Sequence, residues 1–134
     1  MTGRALVFDT RYFVQLFYSK DATTTRLLKK LAQSSAPKWV SAITLIELFK
    51  VSTETDGSEA AERRNALIQQ DFKVRAVDAE IATVASALQA SAGLKGSQAI
   101  IAATATALSA TCVTDDPLLR KLGEPPTTWI IQRA

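Results

Sequence analysis

The feature that most constrains this 134-residue chain is a series of short apolar runs, each followed by a segment with helical periodicity. Residues 5–8 form an unbroken apolar run, which is typical of a strand buried on both faces of a parallel sheet. Further strands are predicted at residues 39–41, 73–77, 111–114 and 129–131. Helices are predicted between them, at residues 10–18, 22–33, 43–53, 59–70, 78–90 and 97–109, with a short one after residue 116. This alternation predicts an α/β fold with a central parallel sheet of four to five strands.

The sequence contains no histidine, which removes several classes of active site. Ser-His-Asp catalysis, Cys-His catalysis and histidine-ligated metals are all excluded. The single cysteine, Cys112, can form neither an internal disulfide nor a cysteine-based zinc site. Enzymatic chemistry would therefore rest on carboxylates, lysine, tyrosine, hydroxyl groups or an oxygen-bound metal. The net charge of +3 is compatible with a polyanionic partner but does not require one.

Neither a secretion signal nor a membrane span is expected. Residues 1–8 lack the basic start and apolar core of a signal peptide. Residues 96–114 carry no charge and are nearly long enough to cross a bilayer. They consist mostly of Ala, Thr and Ser, however, and so predict a closely packed helix followed by a strand. We expect one cytoplasmic domain that covers residues 1–134 and makes no membrane contact.

Acidic residues occur where a parallel sheet would place a ligand site. Asp9 directly follows the first predicted strand, and Asp115 and Asp116 directly follow the fourth. Ligands of open parallel sheets bind beyond the carboxyl ends of the strands. Glu47 lies in the helix after the second strand, on its narrow polar stripe. Each acid also has a purely structural interpretation: Asp9 and Asp116 as helix N-caps, the latter before Pro117, and Glu47 as a solvent-facing residue.

Carboxylates gathered at one end of a sheet repel one another unless a positive group lies among them. A hard divalent cation such as Mg²⁺ or Mn²⁺ suits this position, because these ions prefer oxygen ligands and are held by a few carboxylates. Such a cation can polarise a phosphoryl oxygen and lower the pKa of a bound water. It would therefore provide hydrolysis without histidine.

Four segments share the order, spacing and context of a known pattern. They are residues 6–10 (Leu-Val-Phe-Asp-Thr), 41–48 (Ser-Ala-Ile-Thr-Leu-Ile-Glu-Leu), 96–105 (Gly-Ser-Gln-Ala-Ile-Ile-Ala-Ala-Thr-Ala) and 113–116 (Val-Thr-Asp-Asp). Together they resemble the PIN-domain family, especially its short stand-alone members that act as toxins of the VapBC type. The resemblance implies a PIN-like domain in three α/β/α layers, with helices on both faces of the parallel sheet. It also implies a Mg²⁺- or Mn²⁺-dependent endoribonuclease site. In such a site, clustered acids hold a metal-activated water that hydrolyses phosphodiester bonds.

The resemblance also implies roles for individual residues. Asp9 matches the first acid, Glu47 the second, and Asp116 the acid of the Thr-x-Asp motif; all three are expected to be catalytic and to bind metal. Asp115 is the substitute ligand beside Asp116. The third acid of the family normally begins the Ala-rich helix, in the place that Gln98 holds here. The Gln98 carbonyl could bind a cation weakly or through water, but it supplies no charge.

Basic residues close to the acids are the expected contacts to RNA phosphates. Arg11 lies near the first acid, Arg120 lies one helical turn after the last, and Lys95 precedes the Ala-rich helix. The amino end of that helix presents free N–H groups that favour a phosphate. Each of these residues also has an ordinary interpretation as a solvated surface charge. Thr10 and Thr114 could support the site through hydroxyl hydrogen bonds.

The resemblance as a whole implies a ribonuclease that is the toxin of a type II toxin–antitoxin pair. Its expected partners are an RNA substrate, a small antitoxin protein and a second copy of the chain, because a chain this small buries little core alone. Gln98 leaves open a second function, that of a catalytically silent PIN-like module that binds RNA or protein. A flavodoxin-like or response-regulator-like protein would also hold magnesium at strand ends. It predicts a lysine after a late strand, and none follows strand four or five.

Overall fold

The computed structural model describes residues 4–129, and over this range the chain forms five strands and seven helices. The strands are β1 Leu6–Phe8, β2 Lys38–Ser41, β3 Lys73–Arg75, β4 Thr111–Val113 and β5 Thr127–Thr128. The helices are α1 Thr10–Tyr18, α2 Ala22–Ala32, α3 Ala42–Asp56, α4 Ser58–Asp71, α5 Ala79–Ala92, α6 Gly96–Ala107 and α7 Pro117–Lys121. The predicted alternation of strands and helices is confirmed.

All neighbouring strands of the sheet are parallel, in the order β3-β2-β1-β4-β5. The central strand is β1, in which Leu6 lies opposite Lys38 of β2 and Thr111 of β4. Because every strand points the same way, their carboxyl ends meet at one edge. The residues that follow β1 and β4, and the start of α3 directly after β2, are therefore neighbours in space.

Two apolar cores separate the sheet from its helices and establish the three layers. Val7 and Cys112 pack on one face of the sheet against α5 and α6. Phe8 and Val113, the next residues in the same strands, pack on the other face against side chains of α1 to α4. This opposition follows from the two-residue period of a strand, which sends successive side chains to opposite faces. The expected three-layer α/β/α arrangement is confirmed.

Side-chain caps fix several helix starts near the places predicted. The side chains of Asp21, Ser41, Asp78 and Asp116 each accept a hydrogen bond from an N–H of the first turn that follows. Gly93, with φ of 66°, ends α5 in the left-handed conformation that glycine adopts without strain. Within residues 4–129, none of the helices combines the length and apolar character that crossing a membrane requires.

The last strand differs from its prediction. Pairing with β4 occurs at Thr127–Thr128, where Thr114 N–H donates to the Thr128 carbonyl over 3.1 Å. Trp129 lies outside the strand with φ of 77° and buries its ring in the core instead. Residues 130 and 131, which completed the predicted strand, lie outside the described residues. The prediction followed the apolar residues, whereas the observed strand lies where backbone groups pair with Cys112 and Val113 of β4.

Candidate active site

A cleft of about 290 Å³ opens at the carboxyl edge of the sheet. Three acids line it: Asp9 after β1, Glu47 in α3 and Asp116 after β4. The remaining lining residues are Thr10, Arg11, Val51, Lys95, Ser97, Gln98 and Ile101. The structure therefore brings together the three acids that the sequence singled out, from parts of the chain that are far apart.

Asp9 is a buried carboxyl group that does not serve as a helix cap. It occupies the N-cap position of α1, but its side chain makes no capping hydrogen bond. Its Oδ2 instead accepts a 2.6 Å hydrogen bond from the Thr114 hydroxyl, and the residue is 6% exposed. Burial raises the pKa of Asp9 from 3.8 to about 6; the Thr114 hydrogen bond lowers this pKa, and the charge of Asp116 raises it. Asp9 therefore exchanges its proton close to neutral pH.

Asp116 combines a capping role with a place in the cleft. Its Oδ1 accepts a 2.9 Å hydrogen bond from Leu118 N–H, which is the N-cap contact that an Asp-Pro pair predicts. Its Oδ2 accepts a 2.7 Å hydrogen bond from the side chain of Gln98. Its own N–H donates to the Thr114 hydroxyl over 3.0 Å. Thr114 thus contacts both buried acids and holds them at a fixed separation.

Glu47 lies half-buried against the cleft rather than on an open face of α3. The Thr10 hydroxyl donates to Glu47 Oε1 over 2.7 Å and lies 3.0 Å from the hydroxyl of Thr44. Thr44 is fully buried, so the part of the α3 polar stripe that holds Thr44 and Glu47 faces α1, while Lys50 at its end is exposed. Both predicted supporting hydroxyl groups, those of Thr10 and Thr114, therefore bond to acids of the cleft.

Gln98 enters the cleft as a hydrogen-bond donor. Its Oε1 accepts from Lys95 N–H over 2.9 Å, and its Nε2 donates to Asp116 Oδ2. These partners fix the orientation of the amide, because a backbone N–H only donates and a carboxylate only accepts. The sequence suggested the Gln98 oxygen as a weak ligand, but that oxygen lies at the first turn of α6 and the nitrogen faces the acids.

The predicted basic contacts divide into two groups. Arg11 and Lys95 line the cleft, whereas the exposed Arg120 on α7 does not. Arg11 is 53% exposed and forms an ion pair with Asp115, which is also absent from the cleft lining. Asp115, predicted as a substitute metal ligand, instead pairs with Arg11 in this structure and lies outside the cleft lining.

Sequence reasoning missed the apolar wall of the cleft, formed by Val51 and Ile101. A signal for both was present. Val51 lies four residues after Glu47 and Ile101 three residues after Gln98, so each shares a helix face with a polar residue of the site.

The donor atoms of the cleft suit a hard divalent cation, because they are mostly carboxylate and hydroxyl oxygens. Asp9, Glu47 and Asp116 are the residues that could hold one. Across residues 4–129, however, no three or more Cys, Asp or Glu side chains are grouped as a complete metal-binding cluster. The carboxylates are held instead by hydrogen bonds from Thr114, Thr10 and Gln98.

Comparison with known proteins identifies the fold. The family model of the PIN domain matches residues 6–125. One similar solved structure is VapBC-1 from nontypeable Haemophilus influenzae, with a TM-score of 0.76 and 16% identity, covering 92% of this chain and 96% of that one. Another is a toxin–antitoxin complex from Klebsiella pneumoniae, with a TM-score of 0.74 and 22% identity, covering 96% of this chain and 99% of that one. A third is the sarcin–ricin loop cleaving toxin VapC20 from Mycobacterium tuberculosis, with a TM-score of 0.73 and 19% identity, covering 88% of this chain and 95% of that one.

A search of curated proteins returns no match. The solved structures share the fold across nearly the whole of each chain at low sequence identity. The family model covers most of the chain, including Asp9, Glu47, Gln98 and Asp116. The chain therefore belongs to the PIN domain family.

Proposed function

We propose that this protein is a metal-dependent endoribonuclease that hydrolyses phosphodiester bonds of RNA in the cleft between Asp9, Glu47 and Asp116. The observation that carries the proposal is the convergence of these three acids with two cations, Arg11 and Lys95, in one cavity. Membership of the PIN domain family supports it, as does the structural similarity to a toxin that cleaves the sarcin–ricin loop.

Arg11 and Lys95 supply the positive charge that is needed to bind an RNA backbone beside three acidic side chains. Lys95 lies at the amino end of α6, where free backbone N–H groups add to the attraction for a phosphate. Arg11 lies at the start of α1 and lines the same cleft. Its ion pair with Asp115 is exposed and therefore weak, so a phosphate can replace that carboxylate without a large cost.

Asp9, Glu47 and Asp116 would hold Mg²⁺ or Mn²⁺ in the cleft. A bound cation of this kind polarises a phosphoryl oxygen and lowers the pKa of water. The chain's own part is to orient the acids. Thr114 and Thr10 fix the Asp9 and Glu47 carboxylates through buried or half-buried hydroxyl groups. Burial raises the pKa of Asp9 in the metal-free protein to about 6, so a cation that binds this carboxylate competes with a proton below that pH.

The biological role included in this proposal is that of the toxin of a type II toxin–antitoxin pair. Similar solved structures include VapBC proteins and a toxin–antitoxin complex. The partner would be a small antitoxin protein, and the chain would pair with a second copy of itself. Tyr12 and Phe13 of α1 are buried in the core, so the apolar area for such contacts would come from exposed side chains such as Leu27, Ile46 and Leu67.

The test compares cleavage of single-stranded RNA in Mg²⁺, in Mn²⁺ and in EDTA. The wild type should cleave with either metal and not with chelator. Asp9→Asn and Glu47→Gln should each lower the rate at least ~100-fold, because each removes one of the cleft's charges. Glu62→Gln is the matched control, since Glu62 is an exposed carboxylate of α4 that does not line the cleft. A wild type that cleaves RNA under none of these conditions would refute the nuclease.

One observation favours a second candidate, a PIN module that binds RNA or protein without cleaving it. Both carboxylate oxygens of Asp116 already accept hydrogen bonds, one of them from the neutral Gln98. In that case RNA would be retained in a gel-shift assay with and without EDTA, and the RNA would remain intact. The nuclease instead gives products that depend on the metal.

A further inference from the structure

The side chain of Gln98 joins two parts of the cleft through one amide group. Its Oε1 accepts from Lys95 N–H over 2.9 Å, which is half of an ordinary capping box at the start of α6. Its Nε2 donates to Asp116 Oδ2 over 2.7 Å, a contact that helix capping does not require. The other oxygen of Asp116 is bound by Leu118 N–H. Both oxygens of this 6% exposed carboxylate are therefore satisfied by donors of the chain itself.

We propose that Gln98 is a positioning residue, whose amide holds Asp116 in place by a hydrogen bond where a cation would otherwise be needed. This rests on the proposed function only in taking Asp116 as one of the acids that can bind a divalent ion. The buried acids Asp9 and Asp116 then stay in position whether or not an ion is present. A cation that approaches Asp116 Oδ2 must compete with the amide, so residue 98 sets how tightly the cleft binds metal.

The substitution Gln98→Glu tests this with one atom changed. The new carboxylate has the same length and can still accept from Lys95 N–H. It replaces the donor that faces Asp116 by a second negative oxygen, and two carboxylates at hydrogen-bonding distance repel each other unless a cation or a proton lies between them. The stability of this variant should therefore depend on metal more strongly than that of the wild type.

A second variant reverses the polarity of the same contact. In the pair Gln98→Glu/Asp116→Asn, the new amide at position 116 can donate to the new carboxylate at position 98. Its oxygen can still cap α7 by accepting from Leu118 N–H. The net charge of the pair matches the wild type, and the hydrogen bond returns with donor and acceptor exchanged. Gln98→Ala is the control that removes the amide without adding charge.

The experiment measures thermal unfolding of each protein in EDTA and across a Mn²⁺ titration, together with the Mn²⁺ affinity by calorimetry. The wild-type melting temperature should rise less with Mn²⁺ than that of Gln98→Glu. Gln98→Glu should melt roughly 5 °C or more below the wild type in EDTA, and Mn²⁺ should restore it. Its Mn²⁺ affinity should be roughly tenfold or more above that of the wild type. The double variant should be stable in EDTA and bind Mn²⁺ no better than the wild type. Gln98→Ala removes the competing amide without adding a ligand, so its gain in affinity should be smaller than that of Gln98→Glu.

The proposal is overturned if Gln98→Glu is as stable as the wild type in EDTA and binds Mn²⁺ no more tightly. If Gln98→Glu fails to fold in EDTA, recovery with Mn²⁺ or in the double variant supports the proposal. Failure of both recoveries overturns it. None of these measurements uses RNA, so a negative cleavage assay would refute the proposed nuclease and leave this result standing.

Discussion

Thr114 donates a buried 2.6 Å hydrogen bond to Asp9 Oδ2, which joins the residue after β4 to the residue after β1. The bond lowers an Asp9 pKa that burial raises, and so offsets part of the cost of placing this carboxyl group in the core. The same hydroxyl accepts from Asp116 N–H. Thr114 therefore links the two buried acids directly.

Replacing that hydroxyl should destabilise the protein. Thr114→Val preserves the shape of the side chain but leaves Asp9 without its donor and Asp116 N–H without its acceptor. We expect the free energy of unfolding to fall by about 1–3 kcal/mol and the Asp9 pKa to rise further. Urea denaturation and NMR titration of the carboxyl carbon measure the two effects. Thr114→Ser, which keeps the hydroxyl, should restore most of the loss, and a valine variant as stable as the wild type would contradict this reading.

The raised pKa of Asp9 makes stability depend on pH. Because its pKa in the folded protein is about 6, above the ordinary value of 3.8, folding favours the protonated form. The contribution of Asp9 to stability is thus fully present below pH 3.8 and is lost as the pH rises through about 6. At neutral pH without metal, the charged carboxylate lowers the free energy of unfolding by roughly 2–3 kcal/mol.

Asp9→Asn should remove this pH dependence while it abolishes cleavage. In EDTA the variant should be more stable than the wild type at neutral pH, because the amide carries no charge to bury. Denaturation curves for both proteins on either side of pH 6 measure the difference. An unchanged slope of stability against pH in the variant would show that Asp9 is not the group responsible.

The two cations of the cleft should control binding of RNA rather than stability. Arg11→Ala and Lys95→Ala should each weaken RNA binding and reduce the slope of log affinity against log salt by about 0.7, the value for one phosphate contact on a single strand. Fluorescence anisotropy in the Asp9→Asn background measures binding without cleavage. Arg63→Ala, on the exposed face of α4, and Arg120→Ala should leave the slope unchanged, since neither residue lines the cleft.

The hydroxyl of Thr10 should act through Glu47. Thr10→Val removes the 2.7 Å donor to Glu47 Oε1, which frees that carboxylate to rotate. We expect the rate of RNA cleavage to fall roughly 10–100-fold, as is typical when a group that orients a metal-binding side chain is lost, with little change in RNA affinity. Thr10→Ser should retain most of the activity. Equal rates in the valine variant and the wild type would mean that Glu47 needs no such support.

The positions of Asp9 and Asp116 could be predicted because topology alone determines them. An unbroken apolar run such as residues 5–8 must be buried in a sheet, and whatever follows parallel strands meets at one edge. Glu47 needed more, since its narrow polar stripe could face either solvent or the cleft. The buried Thr44 and the hydroxyl of Thr10 decide this, and neither contact can be read from spacing alone.

Contacts that depend on the rotation of a helix or of a side chain could not be predicted from the sequence. Arg120 shares a helix face with Asp116 by spacing but does not line the cleft, whereas Arg11 does. The direction of the Gln98 amide follows from its two partners, which come from different elements. The apolar character of Trp129 predicted a strand at that residue, but the strand that pairs with β4 ends at Thr128.

The distance along the chain between the partners at the cleft has a consequence for synthesis. Asp9 and the Thr114 that holds it are 105 positions apart, and β1 gains its β4 neighbour only when the late part of the chain is present. A nascent chain on the ribosome therefore has no cleft until residue 116 has emerged, however early the first acid is made. A stop codon anywhere before residue 116 would therefore prevent the cleft from forming, even though Asp9 had been made.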